Sequence, residues 1–232
     1  MYKHTNFFHI SILLTCSIVL CSCLSINRNI KLNKDGSGSE VLSILFDKQF
    51  YQAMSSMASF MDSTRRQGFL DSLYSDEFFV NKSKEGYDSI HGVKLIDIYS
   101  EKGPDSSNIF VIKYEFDSVK KIGSALDQMN SDYDSSKTTV SMTNQESDVV
   151  FNYTYTQPNT EVLSANDSLS EQMKKGMAEI FGGDYINFEI EFPYPVISSN
   201  ATSGDGNKLR WDYTISDIIL NREMKLEAVM KK

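Results

Sequence analysis

Hydrophobic and polar positions alternate along much of this chain, and the alternation predicts strands. Between Ser25 and Asn33, Ile26, Arg28, Ile30 and Leu32 fall on one side and Asn27, Asn29 and Lys31 on the other, the period of a half-buried strand. From Glu40 to Phe46 the pattern repeats with Leu42, Ile44 and Phe46. Asn33-Lys34-Asp35-Gly36-Ser37-Gly38 joins the two runs. Asp-Gly between alternating segments predicts a hairpin, because both residues accept positive φ. An EF-hand calcium loop is the alternative for this cluster, and it asks for oxygen ligands at alternate early positions and a closing Glu. Asn33, Asp35 and Ser37 meet only the first half of that pattern, so the turn is the better fit.

Later strands read in the same way. Gly92 opens one through Val93, Leu95, Ile96, Ile98 and Tyr99. Asn108 to Phe116 carries Phe110, Ile112, Tyr114 and Phe116 in phase. Thr138 to Met142 and Asp148 to Thr156 follow, the latter with Val149, Phe151, Tyr153 and Tyr155. Tyr185 to Phe192 alternates Ile186, Phe188 and Ile190 against Asn187, Glu189 and Glu191, and Pro193 and Pro195 stop it or confine it to an edge. Ser203 to Asn207 reads as a turn. The final strands hold Leu209, Trp211, Tyr213 and Ile215, then Met224, Leu226, Ala228 and Met230.

Helical spacing appears between these runs. Asp47 can cap a helix whose stripe is Phe50, Tyr51, Met54, Met57, Ala58 and Met61. Such a stripe is more often core, although methionines also make adaptable binding surfaces. Ser63 to Ser75 brings Arg65, Arg66, Phe69, Leu70, Leu73 and Tyr74, and Asp76 to Ile90 brings Phe78, Phe79 and Tyr87, with Gly86 a weak point. Val119, Ile122, Leu126 and Met129 predict another helix. Ser168 and Glu171 form a capping box ahead of Leu169, Met173, Met177, Ile180 and Phe181, ended by Gly182-Gly183. The expected fold is α+β: a largely antiparallel, curved sheet with helices packed on one face.

Composition narrows the chemistry. The chain has 232 residues and a formal net charge of −8. No dense Lys/Arg run offsets that charge, which argues against nucleic acid as a partner and against electrostatic adhesion to anionic lipid heads. Cys16, Cys21 and Cys23 are the only cysteines, and after Cys23 the only histidine is His91. The body therefore has no internal disulfide, no thiol nucleophile and no multi-histidine zinc site. A Ser-His-Asp triad would have to use His91, whose place between two elements reads as loop or edge. No catalytic residue, cofactor or metal is expected.

The N-terminus is more specific. Lys3 and His4 precede Phe7 to Leu20, a run that is almost wholly apolar or small. That run is shorter than the about 20 residues of a bilayer span and has the size of a signal-peptide core. Leu20-Cys21-Ser22-Cys23 follows, and it resembles the bacterial lipobox. The resemblance implies that Cys23 receives a diacylglyceryl group on its thiol, becomes the new N-terminus after cleavage, and is acylated again on its amine. Two or three chains anchor stably where one does not. A plain cleaved signal peptide or an uncleaved N-terminal anchor are the alternatives. Residues 1–22 are thus expected to be a signal peptide and residues 23–232 a single lipid-anchored domain. Strand-forming residues begin at Ile26, so that domain should sit close to the bilayer.

The pattern from Cys23 through the Asn-Lys-Asp-Gly-Ser-Gly turn, Phe110 to Phe116, and Leu209 to Ile215 resembles uncharacterised envelope lipoproteins of the Bacteroidota type. More distantly it is similar to LppM-like lipoproteins, a type linked to lipids or lipoglycans. The resemblance implies a bacterial envelope component. Leu24-Ser25 has no Asp at +2 and no acidic tract follows, which favours the outer membrane, facing the periplasm. Three functions are open: a non-enzymatic lipoprotein binding a lipid, glycolipid or envelope protein; a hydrolase using carboxylates such as Glu189 and Glu191, whose i and i+2 spacing on a strand suits glycoside chemistry; and assembly through an exposed strand edge. The first is expected.

Overall fold

Asp35 and Gly36 make the first turn of the fold. Asp35 accepts hydrogen bonds from the backbone N–H and the hydroxyl of Ser37 at 3.0 and 2.7 Å, and Gly36 takes φ +85°, a left-handed conformation that glycine adopts without steric cost. The hairpin so formed joins β1 (Leu24–Leu32) to β2 (Gly38–Phe46). The structure is a computed structural model that describes residues 24–59, 61–103, 107–122, 137–157, 175–176, 178–179, 181–221 and 223–232.

The remaining strands are β3 (Val93–Lys102), β4 (Asn108–Phe116), β5 (Lys137–Gln145), β6 (Asp148–Thr156), β7 (Tyr185–Glu191), β8 (Val196–Ser199), β9 (Ser203–Asp205), β10 (Lys208–Thr214) and β11 (Glu223–Lys231). They divide between two sheets. The larger has the order β3-β4-β2-β1-β7-β10-β9 and the smaller β5-β6-β11-β8. Every pairing is antiparallel except β1 with β7, which run parallel with Ser25 opposite Tyr185 and Lys31 opposite Glu191. The class is α+β and largely antiparallel, as the alternation predicts. The division into two sheets is new, because a strand's alternation shows which residues face inward and not which strand lies beside it.

The inward set of the larger sheet is Arg28, Ile30, Glu40, Leu42, Ile112, Tyr114, Phe188, Ile190 and Trp211, all buried. The smaller sheet covers half of that face. Phe151 meets Phe192 at 5.2 Å between ring centroids and Tyr153 meets Phe188 at 5.3 Å. Helices cover the other half, where Phe79 packs on Phe110 at 4.1 Å and Tyr87 on Tyr114 at 4.8 Å. The opposite face of the larger sheet is polar and laced with exposed ion pairs, among them Lys31–Glu191, Lys208–Glu189 and Lys113–Asp97. Exposed pairs of this kind contribute at most about 1 kcal/mol each, so they mark a solvated surface.

Three consecutive helices follow β2: α1 (Lys48–Ala58), α2 (Ser63–Leu73) and α3 (Asp76–Asp88). Each starts on a side-chain cap. Asp47 accepts from the Phe50 N–H at 2.8 Å, Asp62 from Thr64 at 2.7 Å and Ser75 from Phe78 at 3.0 Å, satisfying donors that a helix start leaves unpaired. Helix α3 passes through Gly86 unbroken, since tertiary packing of Tyr87 outweighs one glycine's propensity. Arg66 ties α2 to the end of α1 by donating to the carbonyls of Ala58, Ser59 and Met61.

Several expectations change. Val119–Lys121 is a short 3-10 turn and Ile122 is already extended, so the helix predicted from Val119 does not run on through Ile122; Leu126 and Met129 lie outside the described residues. Leu169 and Met173 of the later predicted helix also lie outside them. Ser203–Asp205 is a short strand, β9, hairpinned to β10 through Gly206 at φ +60°. Ile215 starts helix α4 (Ile215–Asn221), where Thr214 caps by accepting from the Asp217 N–H at 3.0 Å.

Candidate functional site

A charged cluster sits where the two sheets and the helices meet. Arg28 on β1 and Glu40 on β2 are both buried, and the guanidinium forks onto the carboxylate at 2.6 and 2.9 Å. Arg28 also donates to the Tyr153 hydroxyl of the smaller sheet at 3.2 Å and lies 5.0 Å from the centre of the Phe188 ring. Tyr114 donates its hydroxyl to Glu40. Burial pulls the Arg28 pKa down, but the attraction of Glu40, with Tyr153 and the direct hydrogen bonds, more than offsets it, and the pKa stands above its ordinary value. Burial first, and then the Glu40 charge, push the Tyr87 and Tyr114 hydroxyls up. Every charged atom here has a partner, and both charged side chains are buried. The cluster locks strand register between layers; it offers a ligand nothing. Its signal in the sequence is a charge standing in the inward phase of both strands of the first hairpin.

An apolar cavity of about 430 Å³ opens between the helices and the sheet. Its floor is Phe46 of β2 and Phe110 of β4, its walls Phe50 and Tyr51 of α1 and Phe78 and Phe79 of α3, and Phe69 and Leu73 of α2 cover it. The aromatic rings brace one another. Phe46 contacts Phe50 at 4.5 Å and Phe110 at 5.6 Å, and Tyr51 stacks on Tyr74 at 5.4 Å. Helix α2 buries none of its side chains, so its apolar residues meet the cavity without being closed off from water. Tyr51, Ser72 and Ser75 are the polar residues of the lining. Behind Tyr51 and outside the lining, Asn108 donates to its hydroxyl and accepts from Lys102, which also reaches Asp76 at 3.4 Å. Burial raises the Tyr51 pKa above its ordinary value. An aromatic hollow with a few hydroxyls in its lining suits a ligand that is mostly apolar with a polar end. The stripe of α1 is therefore divided, with Ala58 in the core and Phe50 and Tyr51 at the cavity.

The residues singled out by sequence do not converge. Cys23 lies outside the described residues, and Leu24, bonded to it, begins β1. His91 is exposed in the turn before β3. Glu189 pairs with Lys208 at 2.6 Å and Glu191 with Lys31 at 2.9 Å, each on the polar face. A larger groove of about 550 Å³ lies at the far end of the sheet between Lys31, Asn33, Lys94 and Asp117. Its Lys31 and Lys94 are already ion-paired with Glu191 and Glu115, so it has less to offer a ligand than the aromatic cavity. Among the described residues no three His, Cys, Asp or Glu side chains come together as metal ligands, and no helix is long and apolar enough to cross a membrane.

No protein-family model matches the chain, and no curated protein matches it in sequence. Among solved structures it is similar to the NMR structure of the folded domain of the LppM protein of Mycobacterium tuberculosis, with 12% identity, a TM-score of 0.42 and 90% of each chain covered.

Proposed function

We propose that this protein is a lipid-anchored bacterial envelope lipoprotein whose domain binds an amphiphilic ligand, a lipid or glycolipid, and performs no reaction on it. The observation that carries the reading is the aromatic cavity of about 430 Å³ under α2. Binding sites for small apolar molecules are concave, mostly apolar hollows with a few placed polar groups, and Tyr51, Ser72 and Ser75 in the lining supply those groups. In this reading Cys23 carries the acyl groups, and the domain faces the periplasm from the outer membrane. The carboxylate hydrolase has no comparable support, since Glu189 and Glu191 are each spent on a lysine.

The test uses the full-length protein purified in mild detergent. Native mass spectrometry should find a lipid retained by the fold, and a fluorescent fatty-acid analogue should bind and be displaced by that lipid. Gly68 borders the cavity and a Cβ there meets no atom within 4 Å, so the side chain of Gly68→Leu starts in open space beside it. We expect that variant to stay folded and to bind the probe at least ~10-fold more weakly, a loss of about 1.4 kcal/mol. A protein that retains no lipid and ignores the probe would end the reading. The anchor is tested separately, by palmitate labelling that the Cys23→Ser variant should lose.

A further inference from the structure

We propose that the end of the larger sheet where β1 begins rests on the bilayer, and that the aromatic cavity takes an acyl chain of a bilayer lipid directly from it. This rests on the lipid-binding reading and adds the source of the ligand and the orientation of the domain.

Strand register identifies that end. Leu24 lies opposite Phe46, Phe46 opposite Asn108, and Asn108 opposite Lys102. On the other side Ser25 lies opposite Tyr185, and Tyr185 opposite Thr214. The chain preceding the structure therefore arrives at the edge that holds the cavity floor: Cys23 is bonded to the residue paired with Phe46. The aromatic cavity is built from the last residue of β2, the first turns of α1 and α3 and the second half of α2, all at this edge.

Among the described residues, four of the seven large exposed apolar side chains lie at this end, while Val41, Ile96 and Ile197 lie elsewhere. Tyr74 is 58% exposed and Phe78 48%, and both border the cavity region. Tyr185 at 40% begins β7, and Leu220 at 44% lies on α4, between the end of β10 and the start of β11. The opposite end, the nine residues of β1 away or about 30 Å at strand rise, carries the Asn33–Gly38 turn, Lys94, Glu115 and Asp117. Exposed apolar groups scattered singly need no explanation, whereas Tyr74 and Phe78 stand together beside an apolar opening and mark a surface that meets something apolar.

The charges choose the kind of contact. Lys102 at this end is paired with Asp76 at 3.4 Å, and Lys48 has Asp47 next to it in the chain, so among the described residues these two lysines do not stand as an uncompensated basic pair. The contact is consequently apolar, and anionic headgroups should not strengthen it. An acyl anchor at Cys23 places this surface against lipid at high effective concentration, which is why the occupant is bilayer lipid.

The test reconstitutes the mature acylated protein, residues 23–232, in phosphatidylcholine vesicles carrying doxyl-labelled acyl chains. Single cysteines are introduced by Tyr74→Cys, Leu220→Cys and, at the far end, Lys34→Cys, and each is labelled with an environment-sensitive fluorophore. All three positions are outside the core, and thermal melts confirm folding. Labels at positions 74 and 220 should shift to the blue and be quenched several-fold more than the label at 34, equally in neutral and in anionic vesicles. Equal quenching at all three, or stronger quenching at 34, overturns the orientation. Quenching that rises with anionic lipid overturns the apolar contact. Lipid retained by the detergent-solubilised protein is scored independently: its absence overturns the cavity reading even where the orientation holds.

Discussion

Arg28 is the residue with the most to lose. Its guanidinium serves Glu40, Tyr153 and the Phe188 ring at once, and both Arg28 and Glu40 are buried. Removing one member of a buried ion pair leaves the other uncompensated, which costs about 3–5 kcal/mol. Glu40→Gln should therefore lower the urea midpoint sharply, whereas Arg28→Met with Glu40→Leu should recover most of the loss, because two apolar side chains leave no orphan charge. Urea unfolding of the singles and the double decides this. Tyr87 gives a second prediction. Its hydroxyl pKa is raised in the fold by burial and by Glu40, so its neutral form is favoured in the folded state. That stabilisation is complete below the ordinary tyrosine pKa of about 10 and is lost as pH rises through the folded value. Tyr87→Phe should leave stability at pH 7 nearly unchanged and flatten its decline above about pH 10.

At the scale of elements, α2 and the first hairpin stand at opposite extremes. Helix α2 buries nothing and depends on Arg66, whose three bonds cap the end of α1. Hydrogen exchange should find α2 the least protected of α1 to α3, Arg66→Ala should speed its exchange further, and a bound lipid should slow it. The hairpin has no such slack. A Cβ on Gly38 would stand 2.2 Å from the Lys31 carbonyl oxygen and 2.7 Å from the Phe116 ring, so Gly38→Ala should cost about 1–3 kcal/mol, the usual range for overpacking. Strands were the legible part of this sequence: Phe110, Ile112, Tyr114 and Phe116 are all buried, as their alternation requires. Ile215 was not legible, because it continues the phase of Trp211 and Tyr213 and only the Thr214 cap turns the chain into a helix. The cavity was not legible either. Phe69, Leu73 and Phe79 read as ordinary helical faces, and whether such faces close on one another or leave a space depends on how three helices lie over a sheet.

For the whole molecule, the decisive pairing is β1 with β7, residues about 160 positions apart. Asn187 on β7 donates its side-chain amide to Asn27 on β1 at 2.9 Å, and β7 then carries β10 and β9. Nothing local announces this, since alternation cannot say which partner a strand will take. Loop closure over such a span comes before any reward, so folding should be slow for the chain's size. A chain ended at Gln157 would lose β7 to β11, leave β1 as a bare edge and strip the smaller sheet of two of its four strands. It should show no cooperative thermal transition.

The same pairing has a mechanical side. Because β1 lies between β2 and β7, a pull on the residues before Leu24 runs along an interior strand. Its hydrogen bonds to both neighbours are then loaded together in shear, where a strand at the rim would peel away one rung at a time. The buried Arg28 fork acts as a bolt through that strand into the second layer. Tension transmitted from a membrane through the N-terminus would meet the fold at its strongest line.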